Sequence, residues 1–342
     1  MVLLRGPQEV SDAREQYPTR VVALGGGTGL PAVLRGLRRL IHSGDVSALT
    51  AVVAMTDDGG SSGRLRRSMG MLPPGDVRNC LVALADEEEM LAELFQHRYG
   101  GCEELGGHTV GNLILAGLAE QTGSFLKAVE LSSHVLRTVG RILPATLDDV
   151  RLRAELADGS SIEGETAIAE VEQPIARVSV SPSEVEPTPG VIDSIREADL
   201  VVLGPGSLYT SLLPNLIIPG IGRALRDTDA SVVMLANLVS ERGEASGLGL
   251  PDHVRVIEKH VGGHCIDAVL VNDGPIDEAM LGRYREEGAF PLTWPEEETP
   301  RIRVVRRNLL AEGPKLRHDS LATVSGVVAA WAELKKSQEH TV

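Results

Sequence analysis

Short apolar runs alternate with amphipathic stretches along most of the chain, and the alternation predicts strands and helices in turn. "RVVAL" at 20–24 is a buried strand, "GGGTGL" a sharp turn, and "PAVLRGLRRLIHS" an amphipathic helix with Pro31 in its first turn. "LTAVVAM" at 49–55 is a second buried strand, so the segment is a βαβ unit, for which a right-handed parallel connection is expected. Helices follow in "PPGDVRNCLVAL", where Asp76 can cap the first turn, in "HTVGNLILAGLAEQ" and in "SFLKAVELSSHVLRT".

From residue 141 the period shortens to two. "VRLRAELADGSSIEGETAIAEV" carries an Asp158-Gly159 turn between alternating runs, which is a hairpin signal and predicts a small antiparallel insertion over about 141–185. The α/β pattern then resumes: strands in "LVVLG", "SVVMLANL" and "IDAVLVND", a long turn in "PGSLYTSLLPN", and a closing helix in "DSLATVSGVVAAWAELKK". The pattern predicts an α/β fold: a three-layer, Rossmann-like parallel sheet with a small antiparallel β insertion, formed by one domain over 20–335. Residues 1–19, polar and interrupted by Pro7 and Pro18, are expected to be a disordered arm, and 336–342 a flexible tail.

Composition narrows this further. The chain has 342 residues, 42% of them apolar but only 3% aromatic, so the core must be built from Val, Leu, Ile and Ala, as in parallel sheets covered by helices. A net charge of −15 argues against general binding to nucleic acid or anionic membranes. Cys80, Cys102 and Cys265 are too few and too scattered for a disulfide framework or a four-ligand zinc site, which fits a cytoplasmic protein. The first twenty residues lack a signal-peptide core, and no apolar run is long enough to span a membrane.

Four loops carry the candidate chemistry, and three follow directly on a strand, where parallel sheets collect ligands. In Gly25, Gly26, Gly27, Thr28 and Gly29 the backbone can approach a ligand closely and the next helix offers free N–H groups to an anion. Leu30 breaks the dinucleotide fingerprint and no P-loop Lys follows, so this loop points to a phosphate without naming it; a purely structural turn is the alternative. In "TDDGGSSGR", adjacent Asp57 and Asp58 point to opposite sides, so one can face a ligand while the other serves the turn. Gly59, Gly60, Ser61, Ser62 and Gly63 can form a nest of N–H groups and Arg64 can add a charge-assisted contact, while Leu65 to Arg67 read as a solvated helix face. In "PPGDVRN", Asp76, Arg78 and Asn79 open a helix, with Arg78 as a phosphate fork or simply part of a capped start. In "GPGSLYTS", Gly204, Pro205 and Gly206 allow close approach, Ser207 and Thr210 offer hydroxyls, and Tyr209 offers a flat ring.

His108 is a candidate ligand, acid-base group or cap, and His264 beside Cys265 has no legible nucleophile triad around it. No catalytic residue is assigned. A metal would need oxygen ligands such as Asp57 or Asp58 together with phosphates.

Taken together, "GGGTGLPAVLRGL", "TDDGGSSGRLR", "PPGDVRNCLVAL", "FQHR", "GHTVGNLILAGL" and "GPGSLYTSLLPNL" resemble the gluconeogenesis factor family (YvcK-like), a branch of the superfamily that includes 2-phospho-lactate transferase (CofD-like). The resemblance runs from about residue 20 to about residue 325. It implies a cytoplasmic, Rossmann-like protein that binds UDP-sugars, UDP-N-acetylglucosamine above all, and acts in cell shape and cell-wall synthesis during growth on gluconeogenic carbon sources. It calls for no required cofactor, with Mg²⁺ as an optional companion of the nucleotide, and leaves self-association and protein partners in cell-wall regulation open. Carried over by motif, the glycine loop and "TDDGGSSGR" would line the phosphate region, with "GPGSLYTS" and Asn237 across the crevice. Tyr284 in "GRYREEG" and Arg317 in "KLRHDS" would hold the uracil and the diphosphate. The transferase branch moves a phospholactyl group from a nucleotide-activated donor with a divalent metal, and "GPGSLYTS" sides with the gluconeogenesis-factor branch instead.

Overall fold

In the computed structural model, which describes residues 17–86, 89–101, 104–296 and 301–339, seven strands form one parallel sheet. They are β1 (Arg20–Gly25), β2 (Ala48–Val53), β3 (Arg141–Pro144), β7 (Leu200–Leu203), β8 (Ser231–Leu235), β9 (Ala268–Asn272) and β10 (Arg303–Arg307). Their order is β10-β9-β8-β7-β1-β2-β3. The remaining strands, β4 (Arg151–Leu156), β5 (Ser161–Glu163) and β6 (Ile175–Ser181), make a separate antiparallel sheet in the order β5-β4-β6.

The strands are short apolar runs because both of their faces are covered. In β1, Val22 and Leu24 enter one core cluster with Val52, Val201 and Leu203; Val21 and Ala23 enter the other with Ala51, Val53 and Val202. This is the period-two division of a sheet buried on both sides. β4 instead alternates exposed and buried residues, packing one face on the core and leaving Arg151, Arg153 and Glu155 in solvent.

The helices are α1 (Gly29–Ser43), α2 (Gly60–Met69), α3 (Gly75–Leu84), α4 (Glu89–Gln96), α5 (Val110–Thr122), α6 (Phe125–Val135), α7 (Glu165–Ala169), α8 (Val191–Arg196), α9 (Leu213–Leu216), α10 (Ile221–Asp227), α11 (Leu250–Val261), α12 (Glu278–Glu286) and α13 (Ser320–Glu339). No helix among the described residues is long and apolar enough to cross a membrane.

Strand order fixes where a ligand can enter. β1 pairs with β2 on one side and β7 on the other, both parallel. The chain winds outward through β2 and β3, returns beside β1, and winds outward again through β8, β9 and β10. The order reverses between β1 and β7, and the carboxyl ends of strands at such a reversal are where parallel sheets collect ligands.

Several local expectations need correction. Arg141–Pro144 is a strand of the main sheet paired with Thr50–Val53, so the antiparallel part starts later, at Arg151. The two strands adjoin in sequence, and "RILP" is too short for its period to reveal which sheet it joins. "PGSLYTSLLPN" is not an extended turn: Leu208–Leu212 forms one π-helical turn that runs into α9, buried along its length. Arg66 is no solvated residue; it is 5% exposed and donates to Asp149 Oδ1 and the Val150 carbonyl, tying α2 to the start of β4. α13 continues to Glu339, past the expected start of the tail, and residues 340–342 lie outside the described residues, as do residues 1–16 of the expected arm and Cys102.

Candidate functional site

The glycine loop and the loop after β7 form one wall because neither has side chains at the contact. A Cβ on Gly29 would stand 2.0 Å from the Pro205 carbonyl oxygen, so no other residue fits there without moving a backbone. Asn215, fully buried in α9, donates from Nδ2 to the Gly25 carbonyl at 3.1 Å and to the Ser211 carbonyl at 3.0 Å. Asn237 accepts from Gly206 N–H at 2.8 Å and returns a bond to the Gly206 carbonyl at 3.0 Å. Asn237 thus shapes the loop's peptide across the crevice.

The helices α1, α2 and α3 begin at Thr28, Gly59 and Pro74 without a side-chain cap of their own. This matters because the first N–H groups of a helix need partners and carry the positive end of its dipole. Neighbouring loops meet some of them: Ser62 Oγ accepts from Gly75 N–H at 3.1 Å, and Asp76 Oδ2 accepts from Gly27 N–H at 2.7 Å, just before α1.

The two adjacent acids separate as their alternation requires. Asp58 turns to the antiparallel insertion, where it accepts from Glu165 N–H at 3.0 Å, Thr166 N–H at 3.0 Å and Thr166 Oγ1 at 2.7 Å. It caps α7 from more than a hundred residues away. Asp57 accepts from Gly59 N–H at 2.9 Å, and its charge acts on Asp76. Burial, against the bond from Gly27 and with the charge of Asp57, pushes the Asp76 carboxyl up to about 6. Glu165 and Glu244 close this side: burial and the charges of Asp57, Asp76 and Asp58 push Glu165 up to about 9, and burial pushes Glu244 up to about 7 although it accepts from Tyr209 N–H at 2.8 Å.

A second set of contacts settles the role of the serines. Arg64 donates from Nε to His108 Nε2 at 3.1 Å and from NH2 to the Gly106 carbonyl at 2.6 Å. A guanidinium only donates, so Nε2 must accept and the imidazole proton sits on Nδ1, which donates to Ser61 Oγ at 2.9 Å. Asn112 Nδ2 donates to the same oxygen at 3.0 Å. Burial and the charges of Arg64 and Arg98 hold the His108 imidazolium below its ordinary range, so the ring is neutral. Ser61 is then a hydrogen-bond donor with both acceptor positions filled, and His108 cannot take its proton: the pair is not a nucleophile and base.

Other expected site residues lie elsewhere. Arg78 is not an open phosphate fork; it is 5% exposed and donates to Thr109 Oγ1 and Asn79 Oδ1, each at 2.6 Å. Burial, then the charge of Arg98, pulls its guanidinium down to about 10. The ring of Tyr209 is likewise not offered to the crevice: it is 2% exposed, edge-on to His260 with centroids 6.3 Å apart. The hydroxyls of Ser207 and Thr210 hydrogen-bond to Glu241 and Glu244. His264 meets Glu258 at 2.9 Å, far from these loops in the sheet order, and Cys265 is buried and free.

Thr28, Gly29, Asn79 and Arg317 meet around one cavity of ≈ 380 Å³, together with Arg35, Gln96, Leu316 and His318. The Arg317 loop is held from two sides. Its carbonyl accepts from Ala311 N–H at 2.9 Å, and His318 Nε2 donates to the Ala236 carbonyl at 3.1 Å, its imidazolium pushed down to about 4 by burial. Tyr284 supports it from beneath, its hydroxyl accepting from Leu316 N–H at 3.2 Å. A larger cavity, ≈ 530 Å³ between Met69 and Phe125, has Glu120 as its one charged lining residue and lies apart from the loops. Sequence reading missed Arg35, Asn215, Glu165 and Glu244; only Arg35 left a trace, one helical turn beyond Pro31 and Ala32 on the same face.

Among the described residues no three His, Cys, Asp or Glu side chains stand together as a metal set. Asp57 and Asp76 could supply two oxygens to a divalent ion whose other ligands were phosphate and water.

Comparison with known proteins agrees with this architecture. The family model described as 2-phospho-L-lactate transferase CofD matches residues 21–310. The gluconeogenesis factor of Bacillus subtilis is 41% identical over 312 residues, covering 90% of this chain and 97% of that protein. A relative from Nostoc with the same family name is 44% identical over 296 residues, 86% of this chain, and the chain spans 64% of that relative's length. The crystal structure of a member of the UPF0052 family from Bacillus halodurans superposes with a TM-score of 0.86 at 38% identity, covering 91% of this chain and 99% of that one.

Proposed function

The chain belongs to the CofD family and, within it, to the gluconeogenesis factors, and on that premise we propose that it is a cytoplasmic UDP-sugar-binding regulatory protein. UDP-N-acetylglucosamine is the expected ligand, reporting the supply of cell-wall precursor, and the bound state alters contacts with partners that govern cell shape during growth on gluconeogenic carbon sources. The observation that supports a phosphorylated ligand is the cavity of ≈ 380 Å³ at the start of α1, with Asn79 and Arg317 on its wall. An anion there meets hydrogen-bond donors in a protein whose net charge is otherwise −15.

Calorimetric titration with UDP-N-acetylglucosamine, UDP-glucose, GTP and NAD tests the ligand class. Saturable heat with the UDP-sugars and none with NAD is expected; no UDP-sugar binding would sink the proposal. Arg317→Ala should weaken binding by about 1.5 to 3 kcal/mol, the range of a charge-assisted hydrogen bond. Loss of the gene should deform cells on gluconeogenic carbon sources and spare them on glucose.

A second reading draws on Asp76, which holds Gly27 N–H of the glycine loop, and on Asp57, whose charge acts on it. In a transferase acting on a nucleotide-activated phospholactate-type donor, they would position a Mg²⁺ ion on the phosphates. Incubating the protein with Mg²⁺ and the bound nucleotide, followed by product analysis, separates the two: turnover would contradict a purely regulatory role.

A further inference from the structure

The negative charge of a nucleotide sugar has two places to go in this crevice, and they differ in sign. Asp76 lies against the glycine loop, and the charges of Asp57, Asp76, Asp58 and Glu244 all act on Glu165, so these acids form one cluster. The loop N–H that a phosphate would use, Gly27, already donates to Asp76 Oδ2 at 2.7 Å. A diphosphate placed there would displace a carboxylate and meet others behind it. The cavity beside the first two turns of α1 is lined by none of these acids and presents Arg35 and Arg317.

Other arginines among the described residues, Arg39 and Arg67 with them, also lack a carboxylate partner; what sets these two guanidiniums apart is that they share one cavity whose lining holds no carboxylate. Arg20, Arg66, Arg242, Arg255, Arg285, Arg301, Arg303 and Arg307 each pair with a carboxylate. Arg64 and Arg78 are committed to His108 and Thr109. Arg35 and Arg317 have no carboxylate or hydrogen-bonding partner among the described residues, and both side chains are exposed on the cavity wall. They are also close enough to oppose each other: partial desolvation, then the charges of Arg38 and Arg317, hold the Arg35 guanidinium below its ordinary value. Arg38 itself is turned away, donating to the Ala85 carbonyl. Two like charges side by side with no counter-charge make a strong anion subsite, because one bound dianion relieves their repulsion and engages two planar forks at once.

We propose that Arg35 and Arg317 together form the diphosphate subsite, so that the phosphates of the ligand lie on the α1 side of the glycine loop, away from Asp57 and Asp76. The assignment rests on the reading of the protein as a binder of nucleotide sugars. Arg35 is thereby a ligand-binding residue of equal weight to Arg317.

The test is calorimetry on the full chain with UDP-N-acetylglucosamine, UDP, UMP and inorganic pyrophosphate, for the unaltered protein, Arg35→Gln, Arg35→Lys, Arg317→Gln and Arg39→Gln. Arg39 is an exposed arginine on the same helix outside the cavity, so its variant carries the same charge change. Arg35→Gln and Arg317→Gln should each weaken UDP-N-acetylglucosamine, UDP and pyrophosphate about ten- to a hundredfold, Arg35→Lys less, and Arg39→Gln under about twofold. UMP should bind weakly to every form. Arg35→Gln binding UDP as the unaltered protein does, with UDP-sugar affinity intact, would overturn the subsite and leave the functional reading standing. Pyrophosphate bound by the unaltered protein and lost in Arg35→Gln, with no UDP-sugar binding at all, would keep the subsite and overturn that reading. Absence of binding by every probe would overturn both. Arg35→Lys, which retains charge and helix propensity, guards against a folding defect in the glutamine variant.

Discussion

Asp58→Ala should loosen the antiparallel insertion while leaving the parallel sheet intact. The carboxylate accepts three hydrogen bonds from the first turn of α7, two from backbone N–H groups and one from Thr166 Oγ1. Loss of a cap costs about 1 to 2 kcal/mol, and the ionic character of the acceptor moves this toward the upper end. Asp58 is half-exposed, so water takes over part of the role and about 2 kcal/mol is expected. Gly164 belongs to the same device: at φ +106, a Cβ there would stand 2.7 Å from Asp58 Oδ2. Because α7 is short, the loss should appear as local opening before it appears as global unfolding. Hydrogen exchange followed by mass spectrometry should show amides 165–168 exchanging about thirtyfold faster in Asp58→Ala, the factor that corresponds to about 2 kcal/mol. Asp57→Ala is the paired control. It removes one bond, to Gly59, and relieves the charge that raises Asp76, so its stability should be unchanged or higher. Equal exchange in Asp58→Ala and the unaltered protein would refute the cap. Accelerated exchange at 165–168 in Asp57→Ala would refute the division of roles.

Three further outcomes follow from the site. Glu165 keeps its proton to about 9 in the folded state, whereas the unfolded chain has lost it by pH 7, so the folded state binds more protons and stability must fall as pH rises from about 7 to about 9. His253 and His318, both pushed down to about 4, do not titrate in that window, whereas Glu244, at about 7, adds a part at its lower end; urea unfolding should show the fall, on the order of 1 to 2 kcal/mol from Glu165, and Glu165→Gln should remove the part between about 8 and 9. Nitrogen-15 NMR should find His108 neutral with its proton on Nδ1 at pH 7, and in Arg64→Ala the two tautomers should mix; a proton on Nε2 in the unaltered protein would contradict the donor role of Ser61. Gly29→Ala should cost about 3 kcal/mol or more in unfolding experiments, since its Cβ meets the Pro205 carbonyl rather than a yielding side chain; a cost under about 1 kcal/mol would show that the two loops are free to part.

The parallel sheet, its crevice and the glycine loops were legible in sequence because they depend on neighbours. An apolar run such as "LVVLG" followed by Pro205-Gly206 declares a buried strand and its exit within a few residues. What could not be read depends on distant partners. Nothing near Asp58 says that it will cap Glu165 and Thr166, and nothing near Arg78 says that Thr109 will take its guanidinium. Arg66 sits in a run of charge that reads as solvated until Asp149 and Val150 are folded over it. Tyr209 misleads because a glycine-bounded loop suggests an exposed ring, while the π-helical turn rotates it into the core beneath the insertion. Arg35 was passed over for the opposite reason: one arginine among several on an amphipathic helix looks ordinary until Arg317 arrives beside it.

The order of the strands carries a mechanical consequence. β1 to β3 lie on one side of a seam and β7 to β10 on the other, and within the sheet the seam is closed by the pairing of Val21–Leu24 with Leu200–Leu203 alone. Thr28 and Asn79 come from the first side, Arg317 from the second. A molecule seated between them acts as a rivet: whatever free energy it gains by gripping both banks is also resistance to their being pulled apart. Occupancy would then be felt as stiffness along the whole length of the sheet.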